Sequence, residues 1–161
     1  MRNLNMLVAA AVLTLAFSVG AAAQKKEPTK SAPAQSAAVE YQSAANPSAR
    51  TLSEFVRVGN MLFLSGKLGT DSTGKLAAGG IGPETKQTLE NIKAVLEKNG
   101  SSMDNVIKCT VMLADIKEWA DMNAVYVTFF KKERLPARSA FGTSGLVQNA
   151  RIEIECMATL K

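Results

Sequence analysis

The chain contains no histidine, and this absence restricts its chemistry more than any other feature of its 161 residues. Histidine is the commonest metal ligand and the only side chain whose unperturbed pKa lies close to neutral pH, which makes it the usual general base. A Ser-His-Asp or Cys-His catalytic arrangement is therefore excluded. Any catalysis must rely on the remaining ionisable side chains.

An excess of positive charge is also lacking where a folded domain is expected. The whole chain carries a net charge of +5, but residues 51–161 hold 14 basic and 12 acidic residues, a balance of +2. Nucleic-acid-binding domains concentrate basic residues on the folded surface. We therefore predict that the protein has no nucleic-acid partner.

The N-terminus has the three-part pattern of a secretory signal peptide. A short segment containing Arg2 precedes an apolar run from Met6 to Val19, and small residues follow at Ala21–Ala23. The run is shorter than the roughly 20 residues that a membrane-spanning helix needs. We therefore predict a signal peptide at residues 1–23, export to the periplasm or the medium, and no membrane association after cleavage. Residues 24–50 are rich in Ala, Ser, Pro, Lys and Gln, which predicts a disordered tether and leaves residues 51–161 as the folded domain.

Cysteine occurs only twice, at Cys109 and Cys156. Two cysteines without histidine do not match a zinc-binding pattern, so we predict no metal site. Both residues lie on apolar faces of predicted strands, and the expected state is a pair of buried free thiols. A disulfide is the alternative, because export would allow one to form.

Hydrophobic periodicity predicts strands and two helices in an α+β arrangement. Gly59-Asn60 is a hairpin turn signal between two short β-type runs. One helix opens near Pro83, and a second is capped by Asp115 and carries an aromatic stripe that we expect to pack in the core. The predicted strands are Glu54–Val58, Met61–Ser65, Asp104–Ala114, Ala137–Thr143 and Arg151–Leu160, and the stripe consists of Trp119, Met122, Tyr126, Phe129 and Phe130.

The two longest predicted strands, Asp104–Ala114 and Arg151–Leu160, each have one fully apolar face. Two helices can cover only one side of a sheet, and the second side combines charged residues with Met112 and Met157. A partly apolar open face in a small domain indicates an oligomer that covers it. The apolar faces are Ile107, Cys109, Val111 and Leu113 in one strand, and Ile152, Ile154, Cys156, Ala158 and Leu160 in the other.

Arg138 and Glu153 are the candidate catalytic residues. Arg138 lies at the entry to a strand, where a planar guanidinium can hold a carboxylate through two parallel hydrogen bonds. Glu153 lies on the polar face of the last strand, where a carboxylate can orient a water molecule or relay a proton. The alternative is that the two side chains form a cross-strand ion pair.

Four motifs, in order along the chain, resemble those of the Rid (RidA/YjgF) family and together cover nearly all of residues 52–160. Each motif alone is weak, and their shared order and spacing carry the resemblance. Leu52 departs from the pattern, because many members have an aromatic residue there, and Phe55 is the candidate replacement. The motifs are Gly59–Gly66, Gln87–Lys93, Met122–Tyr126 with Phe129-Phe130, and Leu135–Ser139 with Arg151–Glu155.

The resemblance implies a chorismate-mutase-like two-layer sandwich, a mixed β-sheet with two helices on one face, assembled as a homotrimer with sites between subunits. The implied reaction is cofactor-independent hydrolysis of 2-imino or 2-enamino acids to 2-keto acids and ammonia. Arg138 would bind the substrate carboxylate and Glu153 would position the attacking water. The remaining substrate contacts implied are Ser65, Gly66, Asn123 and Ala140.

Two other functions remain open at this point. A protein of this type could bind small carboxylates, or act as a holdase, without turnover. Retention of both Arg138 and Glu153 favours chemistry over binding alone. Ribonuclease activity ranks third, because the chain lacks a histidine pair and its predicted domain is nearly neutral.

Overall fold

The part of the chain that the structure describes forms one mixed β-sheet with two α-helices on one face. The computed structural model describes residues 37–43 and 51–161. The predicted signal peptide, residues 1–23, lies outside the described residues. The elements are β1 (Val39–Ser43), β2 (Ser53–Val58), β3 (Met61–Leu64), β4 (Lys67–Leu68), α1 (Ile81–Lys98), β5 (Val106–Leu113), α2 (Trp119–Tyr126), β6 (Ala137–Gly142) and β7 (Ile152–Thr159).

The strand order across the sheet is β1-β2-β3-β7-β5-β6, and β4 pairs with β7 beyond the end of β3. Only β5 and β6 run parallel, and every other pair described is antiparallel. Both helices bury apolar residues against the same sheet face, where they meet the inward side of β7. The predicted α+β sandwich is therefore confirmed. None of the described helices is long and apolar enough to cross a membrane.

The hairpin and the apolar faces follow the sequence pattern closely. Gly59 has a φ of +58°, a backbone conformation that glycine adopts without strain, and the adjoining Val58 and Met61 are paired. In β7 the predicted apolar residues Ile152 and Ile154 are fully buried. The alternation of side chains along a strand therefore places the predicted faces correctly.

Strand β1 corrects the predicted boundary of the folded domain. Residues 39–43 belong to the segment 24–50 that was expected to be a disordered tether, yet they pair with β2 from Val39↔Val58 to Ser43↔Ser53. Backbone hydrogen bonds, rather than buried side chains, hold this edge strand, since Val39 and Tyr41 are 50% and 73% exposed. A strand held in this way needs few buried apolar residues, so its sequence is difficult to distinguish from that of a loop. The other tether residues, 24–36 and 44–50, lie outside the described residues.

A β-bulge in β5 corrects the predicted face of Ile107. The register shifts between Val106 and Lys108, so Val106 pairs with Ala158 and Ile107 is the extra residue. Val106 is buried, whereas Ile107 is 46% exposed. A bulge places two residues opposite one and breaks strict alternation, which the apolar pattern alone could not reveal.

Cys109 and Cys156 form a disulfide, so the expectation of free thiols is wrong. The two residues are direct cross-strand partners in β5 and β7, with Cα atoms 4.1 Å apart. Both are buried in the core between sheet and helices. Each strand alone predicts only an inward-facing thiol, and it is the register that places the two sulfurs together.

Reducing this disulfide should lower the free energy of unfolding by about 3–4 kcal/mol, because the bond closes a loop of 47 residues and restricts the unfolded chain. Urea unfolding with and without dithiothreitol measures the difference. The double variant Cys109→Ala, Cys156→Ala is the control and should be insensitive to the reductant. Identical wild-type curves, with two titratable thiols in the unfolded protein, would contradict the bond.

Candidate active site

Arg138 lies near the start of β6, at the edge of the sheet opposite β1. It pairs with Cys109 of β5, which in turn pairs with Cys156 of β7. Residues paired across adjacent strands point to the same side of a sheet. Arg138 therefore faces the helix-covered side, next to α2, and is only partly buried.

Two aromatic rings of α2 contact the Arg138 guanidinium. Its central carbon, Cζ, lies 4.6 Å from the ring centroid of Tyr126 and 5.5 Å from that of Trp119. Both distances are within the range of a cation–π interaction. Within residues 37–43 and 51–161, the Arg138 guanidinium has no carboxylate partner and donates no hydrogen bond. Its N–H groups are therefore free to bind an anion.

The two rings have different environments, although the sequence pattern expects both in the core. Tyr126 is 2% exposed and packs on Phe130, with ring centroids 4.8 Å apart. Burial raises the pKa of the Tyr126 phenol to about 12, against the opposing charge of Arg138, so the hydroxyl stays neutral at physiological pH. Trp119 is 40% exposed, which makes the core assignment wrong for this member of the stripe.

The start of α2 is held in place by polar contacts that set the position of Trp119. The Asp115 carboxylate accepts a hydrogen bond from the Lys117 amide at 2.9 Å and caps the short 3-10 turn that leads into the helix. Glu118 then forms an ion pair with Arg151 at the start of β7. The cap was predicted from the sequence, whereas the ring contact with Arg138 was missed.

Asn123 and Ala140 lie on the elements that carry the Arg138 cluster. Asn123 is four residues after Trp119 and three before Tyr126, a spacing that makes neighbours on a helix surface. It is partly buried. Ala140 follows Arg138 by two residues and therefore shares its face of β6, where it packs against the core.

Glu153 and Gly66 come together on the other side of the sheet. Glu153 pairs with Met112 of β5 and Leu68 of β4, and it alternates with the buried Ile152 and Ile154. A Cβ atom added to Gly66 would lie 1.9 Å from Glu153 Oε1. The carboxylate therefore covers the Gly66 backbone, and any side chain at position 66 would displace it.

Ser65 precedes this contact, and its hydroxyl already has a partner. Its Oγ donates to the Ser53 carbonyl oxygen at 2.7 Å, and its amide donates to the Glu54 carbonyl oxygen at 3.1 Å. Its hydroxyl oxygen can still accept a hydrogen bond. Ser65, which directly follows β3, therefore ties the end of that strand to the start of β2.

Asn91 of α1 fixes the segment that follows Gly66. Its side-chain amide donates to the carbonyl oxygens of Leu68 and Thr70, both at 2.9 Å. Lys67 forms an ion pair of 3.2 Å with Glu54. Together these contacts border a cleft of about 800 Å³ between α1 and the Gly66 segment.

A single copy of the chain does not bring Arg138 and Glu153 together. The sheet register places Arg138 on the helix-covered face and Glu153 on the open face. The cross-strand ion pair considered from the sequence is absent from the described part of the chain. The side chains instead form two separate groups: Arg138 with Trp119, Tyr126, Asn123 and Ala140, and Glu153 with Gly66 and Ser65.

The missing aromatic residue at position 52 is not replaced by Phe55. Phe55 is 6% exposed and pairs with Leu64 in the β2–β3 hairpin, so it belongs to the core. Leu52 is 57% exposed. The alternation of β2 assigns Phe55 to the inward face, which excludes a role on the open surface.

Comparison with known proteins finds relatives that are similar over most of the described residues. A family model described as Endoribonuclease L-PSP matches residues 42–160. The 2-iminobutanoate/2-iminopropanoate deaminase of Rattus norvegicus is 41% identical over 107 residues, which cover 66% of this chain and 77% of the rat protein. The chloroplastic Reactive Intermediate Deaminase A of Arabidopsis thaliana is 35% identical over 145 residues, covering 89% and 71% respectively.

A solved structure agrees with these matches. RidA from an Antarctic Psychrobacter has a TM-score of 0.66 and 34% identity, covering 78% of this chain and 99% of that one. The family match includes all four motifs and the strands that carry Arg138 and Glu153. The chain belongs to the Endoribonuclease L-PSP family, the Rid (RidA/YjgF) proteins.

Proposed function

We propose that the protein hydrolyses 2-imino and 2-enamino acids to 2-keto acids and ammonia without a cofactor. The observation that carries this proposal is the uncompensated guanidinium of Arg138, which contacts two rings and has no acidic partner among residues 37–43 and 51–161. Such a group is suited to a small anionic ligand. The names of the rat and Arabidopsis relatives supply the reaction class.

Arg138 binds the substrate carboxylate in this proposal. The planar guanidinium presents parallel N–H donors that match the two oxygens of a carboxylate. The clamp fixes the adjacent C2 atom, which carries the C=N bond, relative to the attacking water. Holding the substrate in this orientation lowers the activation barrier, and Arg138 does not have to transfer a proton. Asn123 and Ala140 border the same end of the substrate.

Glu153 orients the water in this proposal. The water oxygen forms a bond to C2 while its proton passes through the Glu153 carboxylate to the substrate nitrogen. The hydroxyl proton of the carbinolamine then passes through the same carboxylate to the amino nitrogen, the C–N bond breaks to release ammonia, and the C=O bond of the 2-keto acid forms. The Glu153 carboxylate covers the Gly66 backbone and takes part in no hydrogen bond or ion pair among the described residues. The Ser65–Gly66 segment lines this end of the site.

The opposite placement of the two groups supports a site formed between copies. The open face carries Phe63 and Phe141, which are 36% and 47% exposed, and the partly buried Met112 and Met157. Exposed apolar residues in one sheet face are suited to subunit contact. We propose a homotrimer in which Arg138 of one copy and Glu153 of a neighbour face the same substrate.

Export is part of the proposal, and the disulfide supports it. A buried Cys109–Cys156 bond requires an oxidising environment to form and persist. The periplasm and the extracellular medium are oxidising, whereas the cytosol of most organisms keeps thiols reduced.

Complementation between two inactive variants tests the shared site. Arg138→Met and Glu153→Gln should each be nearly inactive alone. If the variants are co-expressed with different tags and purified through both, each mixed trimer holds one site with both residues intact, so about one third of wild-type activity should return. Activity is the rate of 2-ketobutanoate release above the uncatalysed hydrolysis of 2-iminobutanoate.

The matched control co-expresses two differently tagged copies of the same variant and purifies them through both tags. These trimers should stay inactive. No recovery in doubly tagged mixed assemblies would overturn the shared site. A monomeric wild type in sedimentation analysis would do the same.

A further inference from the structure

The contact between Arg138 and the two rings of α2 differs from the way buried or half-buried arginines are usually held. A guanidinium in a protein is commonly fixed by a carboxylate, yet none of the four ion pairs formed by the described residues includes Arg138. The Tyr126 and Trp119 rings lie 4.6 Å and 5.5 Å from its Cζ atom instead. These rings attract the cation without neutralising it.

Core packing does not account for this arrangement. A core residue is expected to be buried, but Trp119 is 40% exposed at the start of α2. Its large ring therefore contributes little to the buried core, while it lies within reach of the one guanidinium on β6. The Tyr126 ring also contacts the cation, and its buried hydroxyl has no hydrogen-bond partner in the described structure. The rings, rather than any polar group on them, meet Arg138.

We propose that Trp119 and Tyr126 are positioning residues that hold the Arg138 guanidinium ready for the substrate carboxylate. An acidic partner would fix Arg138 equally well, but it would compete with the substrate for the same N–H groups. Two rings attract the guanidinium and accept none of the hydrogen bonds that its N–H groups would donate to a carboxylate. This inference rests on the proposed function, because it assigns the anion at Arg138 to the substrate.

Two substitutions at position 119 separate positioning from structure. Trp119→Leu removes the ring and keeps apolar bulk, whereas Trp119→Phe keeps a ring. We expect Trp119→Leu to raise KM for 2-iminobutanoate, and Kd for 2-ketobutanoate, by about three- to tenfold, with kcat within about twofold. Trp119→Phe should restore both constants to within about twofold of the wild type.

The same comparison at position 126 tests the ring against the hydroxyl. Tyr126→Phe should leave KM unchanged, because only the unpartnered hydroxyl is lost. Tyr126→Leu should raise KM and also lower the melting temperature, since the ring is buried. Val127→Ala is the matched control, because Val127 directly follows Tyr126 and is as exposed as Trp119.

Trp119 also provides a spectroscopic signature, because it is the only tryptophan in the chain. Saturation with 2-ketobutanoate should change the tryptophan emission of the wild type and of Tyr126→Phe, and it should leave that of Arg138→Met unchanged. Calorimetry supplies Kd for the variants that lack the indole. Melting temperature is recorded for every variant, and Trp119→Leu is expected to fold because its site is partly exposed.

The outcomes separate this inference from the proposed function. Equal KM and Kd in wild type and Trp119→Leu would overturn the positioning role, even if turnover is normal. The same holds if Trp119→Phe is as impaired as Trp119→Leu, which would indicate a packing effect. A wild type that binds 2-ketobutanoate but has no turnover would reject the proposed function and retain the positioning role. Absence of binding to the wild type would overturn both.

Discussion

Replacing Arg138 by methionine is expected to lower kcat/KM for 2-iminobutanoate by about two to three orders of magnitude. The substitution keeps the apolar stem of the side chain and removes the fork that binds the carboxylate. Two charge-assisted hydrogen bonds lost at a partly buried site correspond to an effect of this size. The measurement is 2-ketobutanoate release above uncatalysed hydrolysis, together with the melting temperature of the variant.

Two further variants make this result specific to the fork at position 138. Arg134→Met removes an exposed arginine four residues earlier, whose Nη2 donates to the Asp104 carbonyl oxygen, and should leave kcat/KM within about twofold. Arg138→Lys keeps the charge but not the paired donors, and should recover only part of the loss. Wild-type activity in Arg138→Met would contradict the carboxylate clamp. Lost turnover with holdase activity retained would show that the two activities have different origins.

Replacing Glu153 by glutamine should lower kcat by about two to four orders of magnitude, the range expected for loss of positioned proton transfer. Glutamine has nearly the same shape, so the cover over Gly66 should be kept while the basic oxygen is lost. The Kd for 2-ketobutanoate should change little, because Arg138 still binds the carboxylate. Calorimetry and steady-state kinetics measure the two effects separately.

Glu155→Gln is the matched control for this variant. Glu155 lies two residues further along β7, on the same open face, and is more exposed than Glu153. It should keep kcat within about twofold of the wild type. Equal losses in both variants would indicate a general effect of charge on the open face, and an active Glu153→Gln enzyme would exclude Glu153 from catalysis.

Much of the architecture could be predicted from the sequence, because the pattern of apolar residues reflects a local rule. Side chains alternate along a strand and recur every three to four residues on a helix. The inward face of β7, the apolar stripe of α1 and the Gly59-Asn60 turn follow from that rule. The identities of Arg138 and Glu153 as candidates were also available, since few ionisable groups remain once histidine is absent and the family motifs point to both.

Other features depend on pairing between distant segments, which a local pattern does not contain. Strand β1 is an exposed edge held by its backbone, and its two large apolar residues, Val39 and Tyr41, are too few to identify a strand from the sequence. The bulge at Ile107 turns that residue away from the core, and it arises from the way β5 pairs with β7. Cys109 and Cys156 meet because the same register places them opposite each other, 47 residues apart in the chain.

The candidate site shows the same division. The fold class, the family motifs and the two charged side chains that the proposed chemistry needs could all be predicted from the order of residues along the chain. The contacts of Arg138 with Trp119 and Tyr126 on the helix-covered face, and of Glu153 with Gly66 on the open face, became known from the folded chain. The reason is physical: which face a residue occupies is a local property of its strand, but which residues then become neighbours depends on how strands and helices from distant parts of the chain pair and pack.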